Sequence, residues 1–148
     1  MIGIVLLIFG FGIYELFVSE INFANAKFSE STLKIKSLDQ KAIDFIPDLK
    51  GEFAKEVTVG DLSSMASGLN WDEKYYSPLS IVTRAYFDDD LKKVMLGLEI
   101  NEKPGKSFKY LSGATQLLAM CVEKATGEYL SDYVSKNFWQ PMGAENEA

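Results

Sequence analysis

Tyr110 and Ser112 form a Tyr-x-Ser step just before an apolar stretch, and side chains of these two types can take part in hydrolysis. A serine hydroxyl is a poor nucleophile until a base removes its proton, and the sequence contains no histidine to act as that base. A tyrosine held near lysine ammonium groups loses its proton more readily, so it can take the place of histidine. Hydrolytic chemistry in this chain must therefore use serine, tyrosine, lysine or carboxylate side chains.

The element that must position this step is a helix. The spacing of apolar residues predicts that Ser112 or Gly113 begins it, that it continues through Ala125, and that Thr126-Gly127 ends it as a C-cap. The Tyr-x-Ser step thus lies where a loop meets the start of a helix, a common place for functional side chains.

Four more helices are predicted from apolar spacing and capping residues. The first ends at Pro47, the second has Thr58 as N-cap with Asp61 completing a capping box, and the third is interrupted by three consecutive aspartates. Their approximate ranges are 38–49, 58–67, 78–96 and 130–139. Period-two alternation is scarce, so we predict a mainly α fold, with at most a small strand near Thr58 or Phe108.

Composition limits the function classes. With 148 residues, 47% of them hydrophobic, the chain can form one modest folded domain. Its net charge is -6 and its lysines are scattered, which argues against a nucleic-acid partner. No glycine-rich phosphate loop or metal-ligand cluster is present, so we predict neither a cofactor nor a metal. The single cysteine, Cys121, lies at helical spacing among apolar residues and is interpreted as a packing residue.

Two clusters outside the Tyr-x-Ser step contain residue types that occur in functional sites. Consecutive acids at 88–90 lack the spacing of a calcium loop, so we interpret them as a solvated face. Trp71, with Tyr75 and Tyr76, either lines a substrate cleft or fills a corner of the core, and the sequence does not decide between these alternatives.

The amino-terminal segment is strongly apolar. Residues 2–18 contain one charge, Glu15, and their length is near the lower limit for crossing a bilayer. A membrane anchor, a signal peptide cleaved after Ala26 and a buried core helix all remain open, and no Lys or Arg precedes the segment. We expect an apolar helix over 1–20, a polar linker over 21–35 and a folded part over 36–148. A membrane anchor or a cleaved signal peptide predicts a membrane-anchored or extracytoplasmic location.

Three blocks, which begin at Ile35 and end at Gly143, resemble the serine β-lactamase-like superfamily, which includes class C β-lactamases, penicillin-binding DD-peptidases, carboxylesterases and 6-aminohexanoate-oligomer hydrolases. They are IKSLDQKAIDFIPDLKG, VTVGDLSSMASGLNWDE and PGKSFKYLSGATQLLAMCVEKATGEYLSDYVSKNFWQPMG. The resemblance implies the helical subdomain of an α+β fold and hydrolysis of a small amide or ester through an acyl-serine. It also implies that Tyr110 is the general base and that Ser112 hydrogen-bonds the catalytic lysine and the substrate.

The other two motifs of that superfamily are not evident. Ser31 and Lys34 match Ser-x-x-Lys, but they precede Asp39 too closely to leave room for the core helix, so we interpret this match as accidental. The Lys-Thr-Gly or His-x-Gly strand is expected beyond Met142. We therefore expect a fragment or truncated relative of such a hydrolase. The alternative is a non-catalytic, membrane-tethered helical interaction module.

Overall fold

The computed structural model describes residues 34–144, and these divide into two compact units. One unit comprises residues 37–121, and the other comprises residues 34–36 together with 122–144. The expected apolar helix over 1–20 and most of the linker over 21–35 lie outside the described residues.

Helices dominate the described chain, and no strand occurs between residues 34 and 144, in agreement with the predicted mainly α fold. Five α-helices are present: α1 (Val59–Ser63), α2 (Ile81–Phe87), α3 (Leu91–Leu96), α4 (Ser112–Thr126) and α5 (Leu130–Val134). A 3-10 turn, Ala42–Asp44, precedes them, and a π-helical turn, Ser135–Trp139, continues directly from α5.

The helix predicted over 38–49 is wrong, because only the 3-10 turn forms there. Lys41 has an extended backbone and forms an antiparallel bridge with Thr58, while the Ala42 N–H donates to the Val57 carbonyl oxygen at 3.0 Å. These bonds to a distant segment use groups that a continuous helix needs for itself. Three apolar side chains of this stretch are nevertheless buried, since Ala42, Phe45 and Ile46 are each at most 4% exposed.

The capping box predicted for the second helix is confirmed in α1. The Thr58 hydroxyl accepts from the Asp61 N–H at 3.0 Å, and the Asp61 carboxylate accepts from the Thr58 N–H at 2.9 Å. The helix ends at Ser63, earlier than predicted. Met65 follows with a φ of 56°, a left-handed conformation that stops further helical winding.

The long helix predicted over 78–96 is divided into α2 and α3 at the three aspartates. Ser80 caps α2 by accepting from the Thr83 N–H at 3.2 Å, and Asp90 caps α3 by accepting from the Lys93 N–H at 2.9 Å. Asp88 accepts from the Asp90 N–H at 3.0 Å. Two of the three acids therefore hold the turn between the helices.

The segment after α3 joins distant parts of the larger unit. Ile100 is fully buried, donates its N–H to the Lys50 carbonyl oxygen at 2.8 Å and accepts from the Phe53 N–H at 3.1 Å. It also bridges Leu69. Gly68 has a φ of 70°, and a Cβ there would lie 2.0 Å from the Glu102 carbonyl oxygen, so only glycine allows this close approach.

The predicted helices on either side of Gly127 are confirmed. Helix α4 runs from Ser112 to Thr126, and Gly127, with a φ of 74°, donates to the Glu123 carbonyl oxygen at 2.8 Å. Helix α5 begins at Leu130, whose N–H donates to the Glu123 carboxylate at 3.0 Å. Within residues 34–144, no helix combines the length and the apolar character needed to cross a membrane.

Candidate active site

Tyr110 and Ser112 lie at the amino end of α4, as the sequence predicts. Ser112 is the first residue of the helix and is half-buried, whereas Tyr110 is 46% exposed. Leu111 between them is 2% exposed, so its burial fixes the step to the core and turns the tyrosine outward. The Tyr110 hydroxyl makes no hydrogen bond to another residue of the described range 34–144.

The loop that leads into the step is held by the segment after α1. The Lys109 N–H donates to the Met65 carbonyl oxygen, and the Gly105 N–H donates to the Ala66 carbonyl oxygen, both at 2.8 Å. Each bond joins residues about forty positions apart, so it fixes the approach of the chain to Tyr110 through tertiary structure.

Ser112 is bound twice by one carboxylate, that of Glu73. The Ser112 N–H donates to Glu73 Oε1, and the Ser112 hydroxyl donates to Glu73 Oε2 at 3.2 Å. The first N–H groups of a helix have no partner within the helix, and its amino end carries a partial positive charge. Glu73 therefore satisfies one of these N–H groups and places a negative charge beside them.

The aromatic residues near Glu73 hold its carboxylate from the other side. Trp71 donates its indole N–H to Glu73 Oε1 at 3.0 Å, and Tyr75 donates its hydroxyl to Glu73 Oε2 at 2.6 Å. The hydrogen bond to Glu73, together with partial burial and the negative charge of Glu73, raises the pKa of Tyr75 to about 12. The Tyr75 hydroxyl therefore remains a donor at neutral pH.

Trp71 fills a corner of the core, which decides between the two alternatives left open by the sequence for this residue. Its side chain is 5% exposed, and its ring lies against α4, where a Cβ on Gly113 would approach Trp71 Cε3 to 2.5 Å. Tyr75 and Tyr76 are 51% and 86% exposed, so these two rings remain on the surface.

Glu73 is the residue that sequence reasoning missed. Two signals pointed to it. The first is the order of Trp71, Glu73 and Tyr75 at every second position, which places one hydrogen-bond acceptor between two donors. The second is Leu111, which precedes α4 and has no side-chain acceptor for the free N–H groups of that helix. An acceptor from elsewhere in the sequence was therefore required.

The remaining candidates do not join this group. Ser31 lies outside the described residues, so the structure does not place it beside Lys34, which is half-buried. Cys121 is fully buried, and burial raises the pKa of its thiol to about 12, so the thiol stays protonated. Among residues 34–144, no three Cys, Asp or Glu side chains are grouped so as to hold a metal ion.

Comparison with known protein families identifies the family of the chain. A family model described as Beta-lactamase matches residues 34–146, which is about three quarters of the chain. The chain belongs to the beta-lactamase family. The resemblance inferred from the three sequence blocks is thereby confirmed. A second model, Uncharacterized protein family UPF0114, matches residues 1–44 and shares 34–44 with the beta-lactamase match.

Solved structures share the fold at low sequence identity. A Bacillus anthracis protein assigned as a 6-aminohexanoate-dimer hydrolase has a TM-score of 0.61 at 20% identity, over 86% of this chain and 36% of its own. A D-stereospecific amidohydrolase from Streptomyces sp. has a TM-score of 0.60 at 20% identity, over 88% of this chain and 41% of its own.

A third similar structure is the octameric penicillin-binding protein homologue from Pyrococcus abyssi. Its TM-score is 0.57 at 23% identity, and the match covers 90% of this chain and 30% of that protein. This beta-lactamase-family chain thus spans between 30% and 41% of the length of the three structures. No curated protein matches the chain significantly.

Proposed function

We propose that this chain belongs to a serine hydrolase that cleaves a small amide or ester through an acyl-serine intermediate. The observation that carries the proposal is the Tyr110-x-Ser112 step at the start of α4, in a chain that matches the beta-lactamase family. The names of two similar structures, a 6-aminohexanoate-dimer hydrolase and an amidohydrolase, favour an amide substrate.

In this proposal Tyr110 acts as the general base. Its exposed hydroxyl, once ionised, takes the proton of the nucleophilic serine as that serine attacks the substrate carbonyl carbon. The bond to the amine or alcohol then breaks, the leaving group takes the proton, and water hydrolyses the acyl-serine. Ser112 hydrogen-bonds the substrate and the lysine that the Ser-x-x-Lys motif of the family supplies.

The test is labelling of the folded chain with a fluorescent penicillin and with a fluorophosphonate probe. If the wild type is labelled, Tyr110→Phe should slow that labelling about 10²–10⁴-fold, the usual loss when a general base is removed. Tyr129→Phe is the matched control, because Tyr129 is an exposed tyrosine elsewhere in the chain. Equal labelling of the wild type and the Tyr110→Phe variant would rule out the assigned role.

The same labelling identifies the nucleophile. Loss of labelling in Ser31→Ala but not in Ser29→Ala would assign the nucleophile to Ser31, contrary to our interpretation of Ser31-x-x-Lys34 as accidental. Absence of labelling from a folded sample would mean that this chain holds no competent catalytic serine of its own, so the hydrolase proposal would fail for the chain tested alone.

We further propose that residues 2–18 direct the protein to or across a membrane, because this stretch contains a single charge. Amino-terminal sequencing of the protein isolated from its host distinguishes a cleaved signal peptide from a membrane anchor. A mature start at Lys27 supports a cleaved signal, an intact terminus in the membrane fraction supports an anchor, and an intact terminus in the soluble fraction contradicts both.

A further inference from the structure

One carboxylate organises the amino end of α4. Glu73 accepts four hydrogen bonds: Oε1 accepts from the Trp71 indole and the Ser112 N–H, and Oε2 accepts from the Tyr75 and Ser112 hydroxyls. All these residues lie in the unit 37–121, so the arrangement belongs to one compact body.

The orientation of Glu73 is fixed by its aromatic partners. Trp71 is 5% exposed and packs against Gly113, so the indole N–H that holds Oε1 cannot move far. Tyr75 holds Oε2 at 2.6 Å. With both oxygens engaged, the carboxylate has one preferred orientation, and that orientation faces Ser112.

A serine hydroxyl has one proton to donate and lone pairs with which to accept. A carboxylate can only accept, so Glu73 Oε2 draws the protons of both the Ser112 and the Tyr75 hydroxyls, which also lie close enough to interact with each other. With its proton directed to Glu73, Ser112 Oγ keeps lone pairs for other groups. Ser112 can then bind a donor, such as a lysine ammonium or a substrate amide N–H.

We propose that Glu73 is a positioning residue that fixes the Ser112 hydroxyl as a hydrogen-bond acceptor for the catalytic lysine or for an amide N–H of the substrate. This inference rests on the proposed hydrolase function for its role in the reaction. The arrangement of Glu73 and Ser112 can be tested without any reaction.

Glu73→Gln separates positioning from simple helix capping. The glutamine oxygen can keep the bonds from the Trp71 indole and the Ser112 N–H, both of which only donate. The amide NH₂ must then face the Tyr75 and Ser112 hydroxyls, which can accept. The variant therefore retains the cap but reverses the direction of the hydrogen bond at the Ser112 hydroxyl.

The first readout is the rate of acylation by the fluorescent penicillin. We expect Glu73→Gln to slow acylation at least tenfold while the urea midpoint of unfolding stays near that of the wild type. Glu52→Gln, at an exposed glutamate outside this group, should leave the rate unchanged. Equal rates in the wild type and Glu73→Gln would overturn the inference.

If the wild type is not acylated, the hydrolase proposal fails for this chain. A second readout then still tests whether Glu73 holds Ser112. In ¹H–¹⁵N spectra, Glu73→Gln should shift the Ser112 amide and the Trp71 indole resonances together, and the pKa of Tyr75 should fall from about 12 toward the ordinary tyrosine value. Glu52→Gln should change none of these. Unchanged Ser112 and Trp71 resonances would mean that Glu73 does not hold Ser112, whatever the catalytic result.

Discussion

A single ionisable side chain explains most of the local order at the start of α4. Glu73 joins Trp71 and Tyr75 on its own segment to Ser112, which is 39 residues further along the chain. Charge-assisted hydrogen bonds of this kind are stronger than neutral ones, and their loss exposes several donors at once. The hydrogen bonds at the start of α4 therefore depend on whether the partners of Glu73 keep the protons that they donate.

The raised pKa of Tyr75 gives a pH dependence of stability. An unfolded tyrosine ionises near pH 10, whereas folded Tyr75 keeps its proton until about pH 12. Between these values the native state binds more protons than the unfolded state, so the free energy of unfolding falls as pH rises. The stability that Tyr75 contributes is fully present below about pH 10, and it is lost as pH rises through the pKa of Tyr75 in the folded protein.

Urea unfolding at about pH 8 and about pH 11 measures this effect. The stability advantage of the wild type over Tyr75→Phe should shrink at the higher pH. Tyr76→Phe controls for the ionisation of other tyrosines and lysines, since Tyr76 is 86% exposed. A difference between the wild type and Tyr75→Phe that is constant with pH contradicts the raised pKa.

At the scale of elements, α4 begins where the segment 111–113 meets the segment 71–75. Leu111 anchors its start, Glu73 satisfies its first N–H, and Gly113 leaves space for the Trp71 ring. The remaining helices of the unit 37–121 are short, and side-chain caps stabilise α1, α2 and α3.

Gly113→Ala tests the packing of Trp71 on α4. The added Cβ would lie 2.5 Å from Trp71 Cε3, so the ring or the helix must shift, and we expect a loss of about 1–3 kcal/mol in the free energy of unfolding. Gly97→Ala is the control, because its Cβ would meet no atom closer than 3.2 Å. Equal stability of the two variants would mean that Trp71 does not depend on a glycine at this position.

At the scale of the larger unit, the chain is held together by pairings between distant segments. Lys50 bridges Glu99, Leu69 bridges Ile100, and Lys41 bridges Thr58. Ile100 has no exposed surface and takes part in backbone bonds to both Lys50 and Phe53. The segment around Ile100 therefore connects the loop before α1 to the loop after it.

Ile100→Ala should destabilise the protein by about 2–5 kcal/mol, because it removes buried apolar atoms and leaves a cavity. Leu79→Ala should change stability by no more than about 0.5 kcal/mol, since Leu79 is 88% exposed. Chemical denaturation of both variants gives the comparison. A loss below about 1 kcal/mol in Ile100→Ala would contradict its central position.

Features that depend on neighbouring residues were predictable from the sequence. The capping box of Thr58 and Asp61 and the bounds of α4 follow from residue types a few positions apart. The Ser112–Glu73 bonds and the extended backbone at Lys41 were not, because their partners lie 39 and 17 residues away. Local pattern carries no information about which distant backbone or carboxylate will compete for these groups.

The bridge between Lys50 and Glu99 has a consequence for synthesis of the protein. At a translation rate of roughly 5–20 residues per second, the segment around Lys50 waits about 2–10 s before its partner near Glu99 is made. During that interval Leu62, Val59 and Val57, all fully buried in the folded chain, have no completed core to enter. The nascent chain should therefore be a chaperone client over this interval, and it should lose that character once the segment around Ile100 is available to pair.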